Sequence, residues 1–144
     1  MQGSAFAFQT ADALNNTTFY KYKFIYKGDA PLEETFIGLW SDPDLGQFTD
    51  DYVGSDTTLG LGFVYNGDPL DEGSAGYGTS PPALGYDFFQ GPLVNTDGQD
   101  NDGDGEVDEA DERLKMTRFV YYNNDGTAQG NPSGAPDYLS LIHI

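Results

Sequence analysis

Between residues 95 and 112 the chain carries nine acidic side chains and no basic one: Asp97, Asp100, Asp102, Asp104, Glu106, Asp108, Glu109, Asp111 and Glu112. Carboxylates packed this closely repel one another, so folding of the segment is expected to be coupled to a cation. The run Asp100-Asn-Asp-Gly-Asp-Gly-Glu-Val-Asp-Glu-Ala-Asp111 fits the calcium-loop pattern D-x-D-x-D-G-x5-acid in a single register. Asp100, Asp102 and Asp104 take loop positions 1, 3 and 5, and Gly105 makes the sharp turn at position 6. Glu106 offers its backbone carbonyl at position 7, Val107 is the apolar position 8, Asp108 is position 9, and Asp111 closes the loop. A hard cation needs six or more oxygens at once, and alternate residues of a tight loop aim several carboxylates at one centre. Aspartate stands at the closing position where glutamate is usual. Its shorter arm hinders bidentate closure, so the expected affinity for Ca²⁺ is weak, roughly 10⁻⁵ to 10⁻³ M. The alternative is a solvated acidic linker. A glycine at position 6 and an apolar residue at position 8 argue against it.

The remaining composition agrees with a cation-binding chain. With 24 acidic residues against six basic ones, the formal charge is −18. Nucleic acid and anionic membrane would both be repelled, so neither is an expected partner. The 144 residues suit one domain, and 38% hydrophobic residues, ten Phe, ten Tyr and one Trp among them, make a core feasible. There is no cysteine, hence no disulfide and no thiolate metal site. No run of about 18 apolar residues is present to insert into a membrane. Met-Gln-Gly-Ser-Ala-Phe-Ala-Phe lacks the basic start and long apolar stretch of a signal peptide. Either the protein is cytosolic or Met1 is not its true beginning.

Strand signals dominate the chain. Thr17–Lys27 alternates with period two, placing Tyr20, Tyr22, Phe24 and Tyr26 on one face and Phe19, Lys21, Lys23, Ile25 and Lys27 on the other. Gly28-Asp-Ala-Pro31 reads as a turn and Glu34–Trp40 as the returning strand. Leu59–Tyr65, Leu84–Phe89 and Met116–Tyr122 are further strands, and Ser4–Gln9 begins the set. Nineteen Gly and eight Pro fall mostly between these runs, as in Asn66-Gly-Asp-Pro69 and Asn123-Asn-Asp-Gly126. Only Glu109–Leu114 is suited to a helical turn. Six short strands without a long helix predict an all-β fold, an antiparallel β-sandwich of immunoglobulin or jelly-roll type with long acidic loops. The expected organisation is a single module over 1–138 with the calcium loop at 100–111. Ser41–Thr58 and Gly67–Pro82 are long enough to be functional or ligand-stabilised. The stretch entering the calcium loop contains Pro92 and Gly98, so no helix precedes it. That favours a structural staple over a paired, switching EF-hand.

Leu139-Ser-Leu-Ile-His-Ile144 resembles the translated end of a transposon adapter used in shotgun libraries, and is expected to be an artefact; the alternative is a short genuine strand. As an artefact it would remove His143, the single histidine, from any chemical argument. Asp42, Asp44, Asp50, Asp51 and Asp56 form a second acidic cluster, able either to wrap another ion or to cap turns. Tyr20, Tyr22 and Tyr26 form a stripe that would stack on sugars if exposed, but more commonly such a stripe is the buried face of a strand. Acid pairs such as Asp50 and Asp51 are too numerous to indicate glycoside hydrolysis. Gly60-Leu-Gly-Phe-Val-Tyr65 fails the G-x-G-x-x-G pattern at its last position. With no P-loop, no G-x-S-x-G and no surviving Ser/His/Asp set, no catalytic residues are assigned and the chain is not expected to be an enzyme.

Several stretches resemble a module of large secreted bacterial surface proteins of unknown function that end in a C-terminal secretion-sorting domain. They are 16–23, Trp40–Gly46, Asp51–Thr58, Leu61–Asp68, Pro82–Pro92, Asp100–Glu109 and Phe119–Asp125. The acidic loop is also similar to thrombospondin type 3 and related bacterial repeats, which hold calcium. The resemblance implies an extracellular or cell-surface location, flanking domains of a parent chain as neighbours, and a structural or adhesive role. A glycan or another surface protein would be the partner. A carbohydrate-binding module accessory to a polysaccharide-degrading enzyme is the alternative reading.

Overall fold

The computed structural model describes residues 1–121 and the backbone of residues 140–143. Over these the chain is all-β and antiparallel, with helical geometry confined to two short 3₁₀ turns, Ala13–Asn16 and Phe48–Asp50. It divides into two compact units, Met1–Thr35 and Phe36–Ile144.

In the first unit β1 (Gln2–Ala7) pairs with β2 (Thr18–Lys23), Gly3 facing Tyr22, Ala5 facing Tyr20 and Phe6 facing Phe19. Directly opposed residues share a face of the ribbon. One face therefore carries Tyr20 and Tyr22 over the small residues Gly3 and Ala5. On the other face Phe6 stacks on Phe19 at 5.2 Å between ring centroids, and Phe8 meets both rings edge-on. The apolar cluster of this unit is thus the phenylalanine face, while Tyr20, Tyr22 and Tyr26 are exposed. The strand is also shorter than its alternation predicts, ending at Lys23. Glu33 and Glu34 follow Pro31 outside any strand, with Glu34 in a bend at φ 47°. The expected hairpin across Gly28–Pro31 does not form: β2 pairs with β1, and the returning segment is a strand only from Gly38, where it pairs with Ser140–His143.

The second unit holds three sheets. β3 (Gly38–Ser41), β9 (Arg118–Val120) and β10 (Ser140–His143) form one, with β10 in the middle. Backbone pairing tolerates almost any side chain, so this placement carries no argument about the origin of residues 139–144. The central sheet runs β4 (Asp51–Asp56), β5 (Leu61–Asn66), β8 (Ala83–Asp87). Along β5 burial alternates: Gly62, Val64 and Asn66 are buried, while Leu61, Phe63 and Tyr65 lie on the more open face. β6 (Leu70–Asp71) and β7 (Gly78–Thr79) make a two-residue ribbon within the expected loop 67–82, and β4 occupies much of the expected loop 41–58. Glu109–Leu114 forms a single turn, Glu112 N–H donating to the Glu109 carbonyl at 3.2 Å, and no helix. The expected turn 123–126 and the Gly/Pro/Asn-rich segment 129–136 lie outside the described residues.

Among the described residues three apolar side chains are buried, Leu45, Val64 and Met116, and three polar ones, Asn66, Asp71 and Glu112. The two with almost no exposure, Glu112 at 0% and Asp71 at 1%, are both carboxylates. A buried carboxylate persists only where hydrogen bonds replace its lost water. Each of these acids organises a loop through backbone N–H groups.

Candidate metal centre

The acidic loop hangs from a narrow base. Leu93 and Arg113 form an isolated antiparallel bridge, flanked by Val94 N–H to the Glu112 carbonyl and Leu114 N–H to the Pro92 carbonyl, both 3.1 Å. Between these rails the chain turns on itself repeatedly, and four residues adopt positive φ: Gly98, Gly103, Gly105 and Asp108. Gly105, at φ 102°, sits where the loop pattern demands its turn. Asp108 at φ 57° is tolerated because a short polar side chain can hydrogen-bond locally there.

Asp100, Asp102 and Asp104 come together as the sequence predicts, with one carboxylate oxygen from each lying within 4.8 Å of the others. The turns that produce this convergence are carboxylate-capped. Asp100 accepts from Gly103 N–H at 2.6 Å and Gly105 N–H at 3.0 Å, Asp102 from Asp104 N–H at 3.2 Å, and Asp104 from Glu106 N–H at 2.8 Å. Asp100 holds backbone through both of its oxygens, Asp102 and Asp104 through one each. The Lys115 ammonium lies 3.5 Å from the point a Cβ on Gly103 would occupy, which brings a cation to the rim of this cluster.

Asp108 and Asp111 are placed differently. Asp108 turns toward the loop entrance, accepting from Asp97 N–H at 2.9 Å and Gly98 N–H at 3.1 Å. Asp111 is exposed. The carboxylate inside the loop is instead Glu112, which accepts from the N–H groups of Asn101 and Asp108, the latter at 2.6 Å. Glu112 ties the first and ninth loop residues' neighbourhoods to the base bridge. The sequence signal for it is the extra acid after Asp111, since the Leu93–Arg113 bridge turns position 112 inward. Glu106 is exposed and its N–H is bound by Asp104, leaving its carbonyl, the predicted ligand, in the loop backbone. Charge crowding registers at Glu109. Its own backbone N–H holds the carboxyl down, but desolvation and the charges of Glu112, Asp104 and Asp102 raise it above the ordinary glutamate range.

The second acidic cluster, expected either to wrap an ion or to cap turns, is spread over several elements. Asp56 sits at the far end of β4, about 17 Å from Asp51 by strand rise, and caps the following turn through Thr58 and Leu59 N–H groups. Asp42 is exposed. The residue unsuspected from sequence is Asp71, which accepts from Gln47 N–H at 3.0 Å and Tyr77 N–H at 2.8 Å and pins segment 45–47 against β6. Burial pushes the Asp51 carboxyl up; a hydrogen bond from Leu45 N–H opposes this, and the charges of Asp50, Asp71 and Asp44 add to it.

No protein family, curated protein or solved structure matches this chain. No described helix is long and apolar enough to cross a membrane.

Proposed function

We propose that this chain is a calcium-stapled, all-β module of sandwich type, working in a secreted or cell-surface bacterial protein in a structural or adhesive role. The observation that carries the reading is the convergence of Asp100, Asp102 and Asp104 in a glycine-punctuated loop whose base is closed by the Leu93–Arg113 bridge. Three carboxylates within 4.8 Å repel one another strongly without a cation. Oxygen-only ligands and a loop of this flexibility suit Ca²⁺ better than Mg²⁺, which demands a near-octahedral shell. Outside cells calcium is plentiful, so a weak site fills. At 100 times the dissociation constant, binding adds about 2.7 kcal/mol to stability, a melting shift of about 10 °C for a chain of this length. Asp104→Ala removes a ligand and a turn cap together and is expected to abolish most of that shift. An unchanged calcium-induced shift in this variant would sink the assignment.

A carbohydrate-binding reading draws support from a separate observation. Tyr20 and Tyr22 stand on one face of the β1–β2 ribbon, 64% and 49% exposed, above a floor of Gly3 and Ala5. Exposed aromatic rings side by side on one face offer an apolar surface with a polar tip on which a sugar can stack. A glycan array with the full chain and with Tyr20→Ala/Tyr22→Ala tests it; binding that is absent, or indifferent to both substitutions, removes it.

A further inference from the structure

Three side-chain oxygens at the junction of β4, β5 and the Phe48–Asp50 turn are buried and have no hydrogen-bond partner: Asp50 Oδ1, Asp51 Oδ1 and Asn66 Oδ1. Asp51 and Asn66 are directly opposed in the β4–β5 register, so their side chains leave the same face of the sheet with Cβ atoms about 5 Å apart. Asp50 is brought to the same corner by Gly67 N–H, which donates to its carbonyl at 3.0 Å. Asn66 is 7% exposed, and its amide orientation is fixed by two acceptors: Nδ2 donates to the carbonyls of Asp68 at 3.1 Å and Leu70 at 3.4 Å. Neither carbonyl can donate, so the amide cannot flip, and Oδ1 must point away from them with nothing to accept from.

Every orphan here is an acceptor, and none can serve another. Asp51 spends its second oxygen on Leu45 N–H, and the neighbouring Asp71 spends both of its oxygens on backbone N–H groups. No lysine, arginine or histidine occurs between Lys27 and Arg113 to neutralise the group. One buried water donates two hydrogens, one too few for three acceptors, and leaves the carboxylate charges uncompensated. A hard divalent cation satisfies all three oxygens and the charge at once. Carboxylates alone would not close such a site, because among the described residues Asp100, Asp102 and Asp104 are the one acid trio within 4.8 Å. The buried amide oxygen of Asn66, opposite Asp51 in the register, offers a third oxygen.

We infer that Asp50, Asp51 and Asn66 form a second calcium site, which locks the 44–50 segment to the β4–β5 hairpin. It is independent of the loop at 100–111. Calorimetric titration of the full chain with CaCl₂ after chelation tests it. Two equivalents are expected in the wild type, one in Asp102→Ala/Asp104→Ala, and one in Asp51→Asn, an isosteric change that removes one ligand charge while keeping an acceptor for Leu45 N–H. Asp50→Asn, which leaves the backbone hydrogen bonds of this corner in place, is expected to weaken or abolish binding of the second equivalent. Stoichiometry and affinity unchanged in both Asp51→Asn and Asp50→Asn would overturn the second site while leaving the loop intact. Two equivalents surviving in the loop variant would overturn the loop instead. If Asp51→Asn loses its near-ultraviolet circular dichroism, Asp50→Asn decides alone: unchanged binding of the second equivalent there refutes the inference.

Discussion

A carboxylate with no exposed surface needs donors on every side it presents, and Glu112 finds them in the N–H groups of Asn101 and Asp108. Glutamine at 112 keeps the shape but turns an amide donor toward one of those N–H groups, leaving it buried and unsatisfied. Such a change costs about 1–3 kcal/mol, to be read as a lower urea midpoint in chelator. Asp111→Asn, at an exposed position, is expected to fall within about 0.5 kcal/mol of wild type; equal effects at 111 and 112 would mean that the inner acid has been misidentified. Gly46 makes a second residue-scale case. It sits at φ 71°, and a Cβ there would lie 1.9 Å from Asp71 Oδ2. Gly46→Ala therefore combines a left-handed backbone with displacement of a buried carboxylate, and is expected to cost about 1–3 kcal/mol, again measured by urea unfolding. An alanine tolerated without loss would show that segment 45–47 does not need Asp71.

At the scale of elements, the corner where β4 meets β5 is expected to respond to pH in the absence of metal. Because burial and neighbouring charges raise the Asp51 carboxyl above its ordinary value of 3.8, the folded chain binds this proton more readily than the unfolded one. Stability from this group is then present at acid pH and falls as pH rises from 3.8 through the raised folded value. In chelator, wild type is expected to lose stability across that window relative to Asp51→Asn, measured as the difference between their urea midpoints at each pH. A constant difference refutes the crowding. The same corner marks where sequence stops being informative. β1, β2, β5 and β8 were legible because alternation or a short apolar run between turn residues specifies them, and the Asp100/Asp102/Asp104 set because its spacing is local. β4 was not, because Asp51-Tyr-Val-Gly-Ser-Asp56 has acids and a glycine where alternation should show, and it is a strand only through pairing with β5. Asp71, Asn66 and Glu112 were missed because each works through donors or partners distant in sequence. Spacing rules describe neighbours along a chain and are silent about these.

For the molecule as a whole, the arrangement assigns different work to its two units. Met1–Thr35 is a two-stranded ribbon with an aromatic cluster, a motif of marginal stability by itself. Phe36–Ile144 contains the Asp100/Asp102/Asp104 cluster and the neighbouring Asp50 and Asp51, together with the three apolar side chains buried among the described residues. Among the described residues three buried apolar side chains supply little burial, so the burden there shifts to loops fastened by buried carboxylates and, in the proposed reading, by calcium. If that division is right, the first unit is dispensable for metal response. Residues 36–144 alone are expected to keep the full calcium-induced melting shift of the whole chain, about 10 °C at 100 times the dissociation constant. Calcium added to residues 1–35 should change nothing in their circular dichroism. Truncation at 138 removes β10 but neither acid group, so it too should leave the shift intact, even if the melting temperature itself moves. A shift that disappears on removing residues 1–35 would mean that calcium acts through the joining of the two units. The staple would then have to be sought at that junction, and not inside the second unit.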